Sequence, residues 1–286
     1  MNQTTIKESC LLPGGIGLHS GKKVDVTFHP APPNSGIIFH RTDKSVKIPA
    51  NWRYAEASAL CTTIGIGDVK LGTIEHLLSA CNGLGIDNLE VELTGEEVPI
   101  YDGSGIAFVE KFKQIGLKEL DATKKMIRIT KPVSFTQGDI SIMATPSQDS
   151  QFNFSIDFDH DQVRAQEFQF TLTAAAYHEQ IAAAKTFCRE EDIPKMQEAG
   201  LIKGASEDIA VILDSQGGFK NMGVMTWLNE PNLHKILDQI GDFYLADNMR
   251  ILGNIFSHKS GHASHFAFIS HLMNERQDAF EVVPVP

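Results

Sequence analysis

Ten residues, Gly116 to Lys125, separate two stretches of chain that run through strands and helices in similar order, and this repeated order most restricts the fold. The separating segment combines glycine, acid and lysine without apolar periodicity, as a linker would. Before it, Lys23 to Phe28 alternates polar and apolar residues, and further strands are expected at Gly36 to Phe39, Ala59 to Ile66 and Asn88 to Leu93. Helices are expected from Thr73 to Leu84 and from Ile106 to Gly116. After it come strands at Met126 to Thr130, Val133 to Phe135, Ile140 to Ala144, Phe152 to Phe158 and Ala210 to Leu213. Helices follow at Thr173 to Ala184, Glu190 to Ala199 and Asn232 to Met249. No sequence repeat of fixed period accompanies this order. The expected class is α+β, in two domains of like design, 1–120 and 126–286.

Composition narrows the function. The chain is 42% hydrophobic and 21% charged, ordinary for a globular protein with a real core. No apolar run reaches the roughly 20 residues that span a bilayer, so stable membrane insertion is not expected. Met1 to Cys10 lacks the basic start and apolar stretch of a secretory signal, which points to the cytoplasm. The net charge of −11 disfavours a nucleic-acid partner and requires local basic groups to hold any anionic substrate. Four scattered cysteines, Cys10, Cys61, Cys81 and Cys188, form no C-x-x-C pair, against a disulfide framework or a structural zinc knuckle.

Three local patterns carry chemistry. In the helix from Asn232, the residues Leu233, Ile236, Leu237, Ile240 and Tyr244 mark the core face. His234 and Asp238 are four apart on its flank, so an imidazole and a carboxylate can reach one metal from the same side. Asp242 continues that stripe, and Gly241 beside it allows another backbone or a ligand to come close. A solvated surface pair is the plainer reading. At the start of the earlier helix, behind Thr73 as its expected N-cap, Glu75 and His76 suit a division of labour between proton acceptor and metal ligand. A solvated Glu-His is the alternative there. In the loop Lys259-Ser260-Gly261-His262-Ala263, His262 can serve as acid or charge stabiliser with Asp242 holding its ring, or be an ordinary loop histidine. The absence of H-E-x-x-H, G-x-S-x-G and a P-loop disfavours zincin, serine-hydrolase and nucleotide-hydrolase readings. Gly14-Gly15-Ile16-Gly17 follows no clear strand and opens no helix, so it is not a dinucleotide fingerprint. Together the three patterns suggest a divalent-metal site with a base and a charge-stabilising partner, able to activate water for hydrolysis.

Longer motifs occur in a fixed order. They include Gly15-Ile16-Gly17-Leu18-His19-Ser20-Gly21, Thr73-Ile74-Glu75-His76-Leu77-Leu78-Ser79-Ala80 and Val98-Pro99-Ile100-Tyr101-Asp102-Gly103-Ser104. Lys185-Thr186-Phe187, His234-Lys235-Ile236-Leu237-Asp238-Gln239-Ile240-Gly241-Asp242 and Lys259-Ser260-Gly261-His262-Ala263 follow. From about Thr5 to the end, the chain resembles the UDP-3-O-acyl-N-acetylglucosamine deacetylases, zinc amidases of lipid A biosynthesis in Gram-negative-type bacteria.

The resemblance implies two βααβ-type domains with helices sandwiched between two sheets and the active site between the domains. It implies zinc on His76, His234 and Asp238, with iron(II) accepted by the same ligand set. Glu75 would be the general base, His262 the charge-stabilising partner, Asp242 its orienter, Thr186 the donor to the oxyanion, and Lys235 a group facing the substrate. Phe187, Phe158, Asp157, His19 and Lys259 would contact the acylated UDP-amino sugar. Cys61 stands where some relatives offer a thiol to an inhibitory second zinc, although a structural thiol is an equal reading. The chain departs from the pattern at Arg189, Ala205, Ile140 and Leu228 to Pro231, around the expected acyl groove and diphosphate contacts. Another amidohydrolase on the same scaffold and a non-catalytic sugar-nucleotide binder are the competing readings; Glu75 speaks against the second, because a structural site needs no base. A monomer is the expected state.

Overall fold

The computed structural model describes residues 1–58 and 60–285. Ala59, the first residue of one expected strand, lies outside the described residues, as does the terminal Pro286; the described strand there runs Thr63–Ile66. Among the described residues, four α-helices reach nine residues or more: α1 (Glu75–Leu84), α2 (Ile106–Ile115), α3 (Glu230–Phe243) and α4 (His262–Ser270). The α+β class expected from the element order holds.

In the first half, five strands form a mixed sheet in the order Cys10–Ile16, Lys23–Pro30, Leu89–Leu93, Ile37–Arg41 and Val46–Pro49. Val24, Val26 and Phe28 point inward, and the rings of Phe108 and Phe112 on α2 meet Phe28 at 6.3 and 4.9 Å. In the second half, the central strand is Arg250–His258. Met126 to Arg128 lie parallel to its first three residues, and the rest of it runs between Ile140–Thr145 (antiparallel) and Ser150–Ile156 (parallel). Phe243 on α3 and Phe268 on α4 stack at 5.4 Å against the inner face of this sheet, where Phe152 lies 6.4 Å from Phe243. Helices α1 and α3 pack on each other between the two sheets, and one continuous apolar core joins the halves.

The contact between α1 and α3 depends on Gly241. A methyl group placed there would lie 2.0 Å from the carbonyl oxygen of Glu75 and 3.0 Å from the amide nitrogen of Ser79. Backbone groups cannot move aside as a flexible side chain would, so only glycine allows the two axes to come this close. We expect Gly241→Ala to cost at least about 3 kcal/mol, the upper end of ordinary overpacking. A denaturant midpoint equal to that of the wild type would refute the tight crossing.

Several elements differ from the sequence-based expectation. The segment expected as a linker contains the strand Leu117–Thr123, antiparallel to Asn2–Ile6. Neither Asn2–Ile6 nor Cys10–Ile16 was anticipated, because prolines, glycines and polar residues interrupt their alternation. The central strand Arg250–His258 was missed for a similar reason. Its buried side carries Ile251, Gly253, Ile255 and Ser257 while its outer side carries Leu252 and Phe256, so polarity does not alternate. The expected helix 173–184 begins with one short turn at Ala174–Ala176 and continues as a π-helical turn over Tyr177–Ile181. Tyr177 packs its ring on Gly83 of α1 and donates to Ser79 Oγ at 3.0 Å, a tertiary contact that holds the wider turn. The expected helix 190–199 is a 3₁₀ turn followed by Ile193–Glu198. Helix α3 stops at Phe243, short of Met249. Asp247 and Asn248 adopt left-handed backbone angles, and Asn248 Oδ1 accepts from Ile37 N while its amide donates to Ala50 O.

Candidate metal and catalytic site

Nine of the ten residues of α1 are buried, Glu75 and His76 among them, so they are not a solvated pair at a helix start. Thr73 is not the N-cap. It has a positive φ, its hydroxyl donates to Glu97 Oε1 at 2.9 Å, and the helix begins after Ile74 with no side-chain cap. Helix α3 buries His234, Asp238 and Asp242 as well, which removes the surface-pair reading. His262 is not in a loop: it is the first residue of α4.

These elements converge on a cavity of about 130 Å³ lined by Glu75, His76, His234, Lys235, Asp238, His262, Thr186, Phe187 and His19. A larger concavity, about 630 Å³, lies on the outer face of the second sheet, where Glu167 and His258 are the only titratable residues. Size therefore does not locate the chemistry; the concentration of buried ionisable groups does.

His76, His234 and Asp238 each direct one ligand atom to a common point, all within 4.8 Å of one another. Nε2 of His234 lies 3.2 Å and Nε2 of His76 3.7 Å from Asp238 Oδ1. Neither nitrogen is aligned to donate, and Oδ1 has no hydrogen-bond partner although it is buried. An unpartnered buried carboxylate oxygen facing two imidazole nitrogens fits a cation. The remaining contacts fix His234 and Asp238, whereas His76 Nδ1 is buried without a hydrogen-bond partner among the described residues. His234 Nδ1 donates to Ala184 O at 2.9 Å, which leaves Nε2 as the ligand atom, and Lys235 Nζ donates to Asp238 Oδ2 at 2.9 Å. Burial, followed by the neighbouring His234, lowers the His76 pKa to about 3, so its ring stays neutral, as a ligand must. For Asp238, burial alone would favour the protonated form, but His234, Lys235 and His262 outweigh it and hold the carboxyl well below its usual range.

The second group lies one helical turn further along α3. Asp242 Oδ2 accepts from His262 Nδ1 at 2.9 Å and from His265 Nδ1 at 2.7 Å, while Thr62 Oγ1 donates to Asp242 Oδ1. The other ring nitrogen of His262, Nε2, faces Glu75 Oε1 at 3.8 Å and Asp238 Oδ2 at 3.9 Å. Burial opposes a charge on His262, but Asp242, Glu75 and Asp238 prevail and raise its pKa to about 10. Glu75 Oε2 accepts from Thr62 N at 3.0 Å. Burial pushes the Glu75 carboxyl well above the usual range, and the His262 cation opposes that rise.

The other expected residues divide into two sets. Thr186, Phe187 and His19 line the cavity, with Thr186 held by its backbone amide on Gly103 O at 2.8 Å. Lys235 Nζ lies 5.6 Å from the Phe187 ring centre. Phe158 meets Phe187 edge-on at 5.6 Å but does not line the cavity. Asp157 and Lys259 pair with each other at 3.0 Å, also outside the cavity lining. Cys61 Sγ lies 3.7 Å from Thr63 Oγ1 and belongs to neither cluster of converging ligand atoms among the described residues.

Three residues of the site were not singled out from the sequence. Thr62 lay inside an expected strand. His265 is three residues beyond His262, a helical spacing recognisable only once α4 is known. Buried Glu97 accepts from the amides of His19 and Ser20 at 2.8 and 2.9 Å as well as from Thr73, and so positions the His19 loop; nothing distinguishes it from Glu96 in sequence.

Comparison with known proteins agrees with this geometry. The LpxC family model, UDP-3-O-acyl N-acetylglycosamine deacetylase, matches residues 3–274. Relatives named UDP-3-O-acyl-N-acetylglucosamine deacetylase include a Myxococcus xanthus (strain DK1622) protein, 37% identical over 285 residues, covering 99% of this chain and 90% of the relative. One from Acidithiobacillus ferrooxidans (strain ATCC 53993 / BNL-5-31) is 40% identical over 273 residues, covering 94% and 89%. Another from Legionella pneumophila (strain Corby) is 39% identical over 271 residues, covering 93% and 88%. No helix of the described residues is long and apolar enough to cross a membrane. With a match this long and a buried two-histidine, one-carboxylate cluster beside Glu75, the chain belongs to the UDP-3-O-acyl N-acetylglycosamine deacetylase family.

Proposed function

We propose that the protein removes the N-acetyl group of a UDP-3-O-acyl-N-acetylglucosamine, giving the free amine and acetate, with a divalent ion held by His76, His234 and Asp238. The observation that carries this reading is the unpartnered Asp238 Oδ1 facing two imidazole nitrogens within reach of Glu75 and His262. Two imidazoles and one carboxylate with room for a further ligand make an open, catalytic kind of site, suited to zinc and also to iron(II). Such an ion supplies Lewis-acid polarisation of a carbonyl and a more acidic water.

The chain's own groups do the rest. Glu75, made more basic by burial, takes a proton from water as the water oxygen adds to the acetamide carbon. Thr186 donates from its hydroxyl to the oxygen that gains negative charge, a contact that typically matters by about 10²-fold or more. His262, kept cationic by Asp242, faces Glu75 and stabilises that charge. The proton that Glu75 has taken then passes to the amide nitrogen, the C–N bond breaks, and the amine leaves with acetate formed. Lys235 anchors Asp238 and presents its ammonium at the cavity wall beside Phe187, where a sugar or diphosphate oxygen would meet it.

Purified protein assayed for acetate release should turn over the 3-O-acylated UDP-N-acetylglucosamine far faster than the unacylated sugar nucleotide. Equal rates on both would eliminate the proposed substrate in favour of a different amidohydrolase.

A further inference from the structure

His265 is fully buried, and the reaction outlined above gives it no task. It lies one turn along α4 from His262, so a single helix directs two imidazoles at the same carboxylate oxygen, Asp242 Oδ2, at 2.7 and 2.9 Å. An ionised carboxylate only accepts, so both Nδ1 atoms must carry protons. The far nitrogen of His265, Nε2, lies 3.0 Å from Ser260 Oγ, and Ser260 is itself buried. The rings of Phe243 and Phe154 close on His265 at 5.8 and 6.2 Å, both nearly perpendicular to it, leaving an apolar surround on those sides. The charged and titratable groups that bear on this pair are Asp242, His262 and Lys235 for His265, with Glu75 and Asp238 added for His262. In such a surround an uncharged ring is favoured, and burial lowers the His265 pKa accordingly.

We infer that His265 is a positioning residue: as a neutral Nδ1–H tautomer whose Nε2 accepts from Ser260, it pins the Asp242 carboxylate so that Oδ2 stays aimed at His262. Thr62 holds the other oxygen, Oδ1, so three donors from two segments of the chain fix the carboxylate plane. Without His265 the carboxylate can rotate about its own bond, and the His262 ring, whose Nε2 faces Glu75 and Asp238, rotates with it. The inference rests on the reading of His262 as a working imidazole.

Two substitutions and one spectrum test it. His265→Leu fills the space without a donor, whereas His265→Asn places an amide N–H about where Nδ1 stands. We expect both to keep metal content. His265→Leu should lose between about 10- and 100-fold in kcat, as misplacement of a reacting group commonly costs, with KM changed less than about 2-fold. His265→Asn should recover most of that loss. In the wild type labelled with ¹⁵N-histidine, His265 should carry a proton on Nδ1 and none on Nε2. Ser260→Ala should leave the proton on Nδ1, because Asp242 still requires a donor there, and the wild-type spectrum remains decisive if His265→Leu fails to fold. The inference is overturned by a proton on His265 Nε2 in the wild type, by His265→Asn as slow as His265→Leu, or by His265→Leu turning over like the wild type. Wild-type protein that releases no acetate would instead remove the proposed function, while the tautomer measurement would still decide the role of Ser260 and His265.

Discussion

Glu75→Gln is expected to fold, to bind metal like the wild type and to lose roughly 10²- to 10⁴-fold in kcat, the usual contribution of a positioned general base. The glutamine is the sharper substitution because of what Glu75 holds in place. Its Oε2 accepts from the buried amide of Thr62, and Thr62 in turn donates to Asp242. Gln keeps an oxygen for that amide and removes only the basicity. Glu75→Ala removes both, and stranding a buried N–H costs about 1–3 kcal/mol. The alanine variant should therefore be as inactive as the glutamine variant and less stable as well. The two effects separate cleanly if kcat and the denaturant midpoint are measured on both proteins. Turnover by Glu75→Gln within about tenfold of the wild type would remove Glu75 from the role of base.

His234→Ala should fail differently, by losing the metal. It deletes the Nε2 donor 3.2 Å from Asp238 Oδ1 and leaves the carbonyl of Ala184 without its imidazole donor. Substituting groups that merely orient a ligand typically weakens metal affinity 10- to 100-fold, so deleting a ligand should exceed about 100-fold. After dialysis against a weak chelator, the variant should retain almost no metal, while Glu75→Gln retains about one equivalent, as expected of a base that is not a ligand. Added metal should rescue His234→Ala only at high concentration. Full metal content in dialysed His234→Ala would mean that the ion sits elsewhere. The second converging group, Asp242 with His262 and His265, is a less suitable place, since each of its Nδ1 atoms already serves the carboxylate.

Much of this site was legible in the chain because its groups lie close together in sequence on regular elements. His234 and Asp238 at helical spacing, Asp242 one turn on, and the Glu75-His76 pair all retain the relations that spacing predicts. Gly241 was also readable as a point of close approach, although what approaches it, the Glu75 backbone, was not. Helix ends were less visible. Apolar periodicity runs on past Phe243 through Leu245 and Ala246, yet the helix stops because Asn248 bonds to Ile37 and Ala50 of the first half, some two hundred residues away in sequence. The linker expectation at 116–125 gave way to a strand for the same kind of reason: its pairing partner, Asn2–Ile6, is at the opposite end of the first half.

The sequence by itself determined the α+β class, the family, and which side chains could carry the chemistry, since those depend on residue type and short-range spacing. It left open whether each of three small patterns was buried chemistry or a solvated surface. Only the tertiary structure decided that, by packing α1 against α3 through Gly241 and by turning the expected loop around His262 into the first turn of α4. The physical reason is range. A helix fixes neighbours within a turn, whereas burial, the orientation of a ring and the sharing of Asp242 Oδ2 by His262 and His265 depend on contacts between segments that only a folded core brings together.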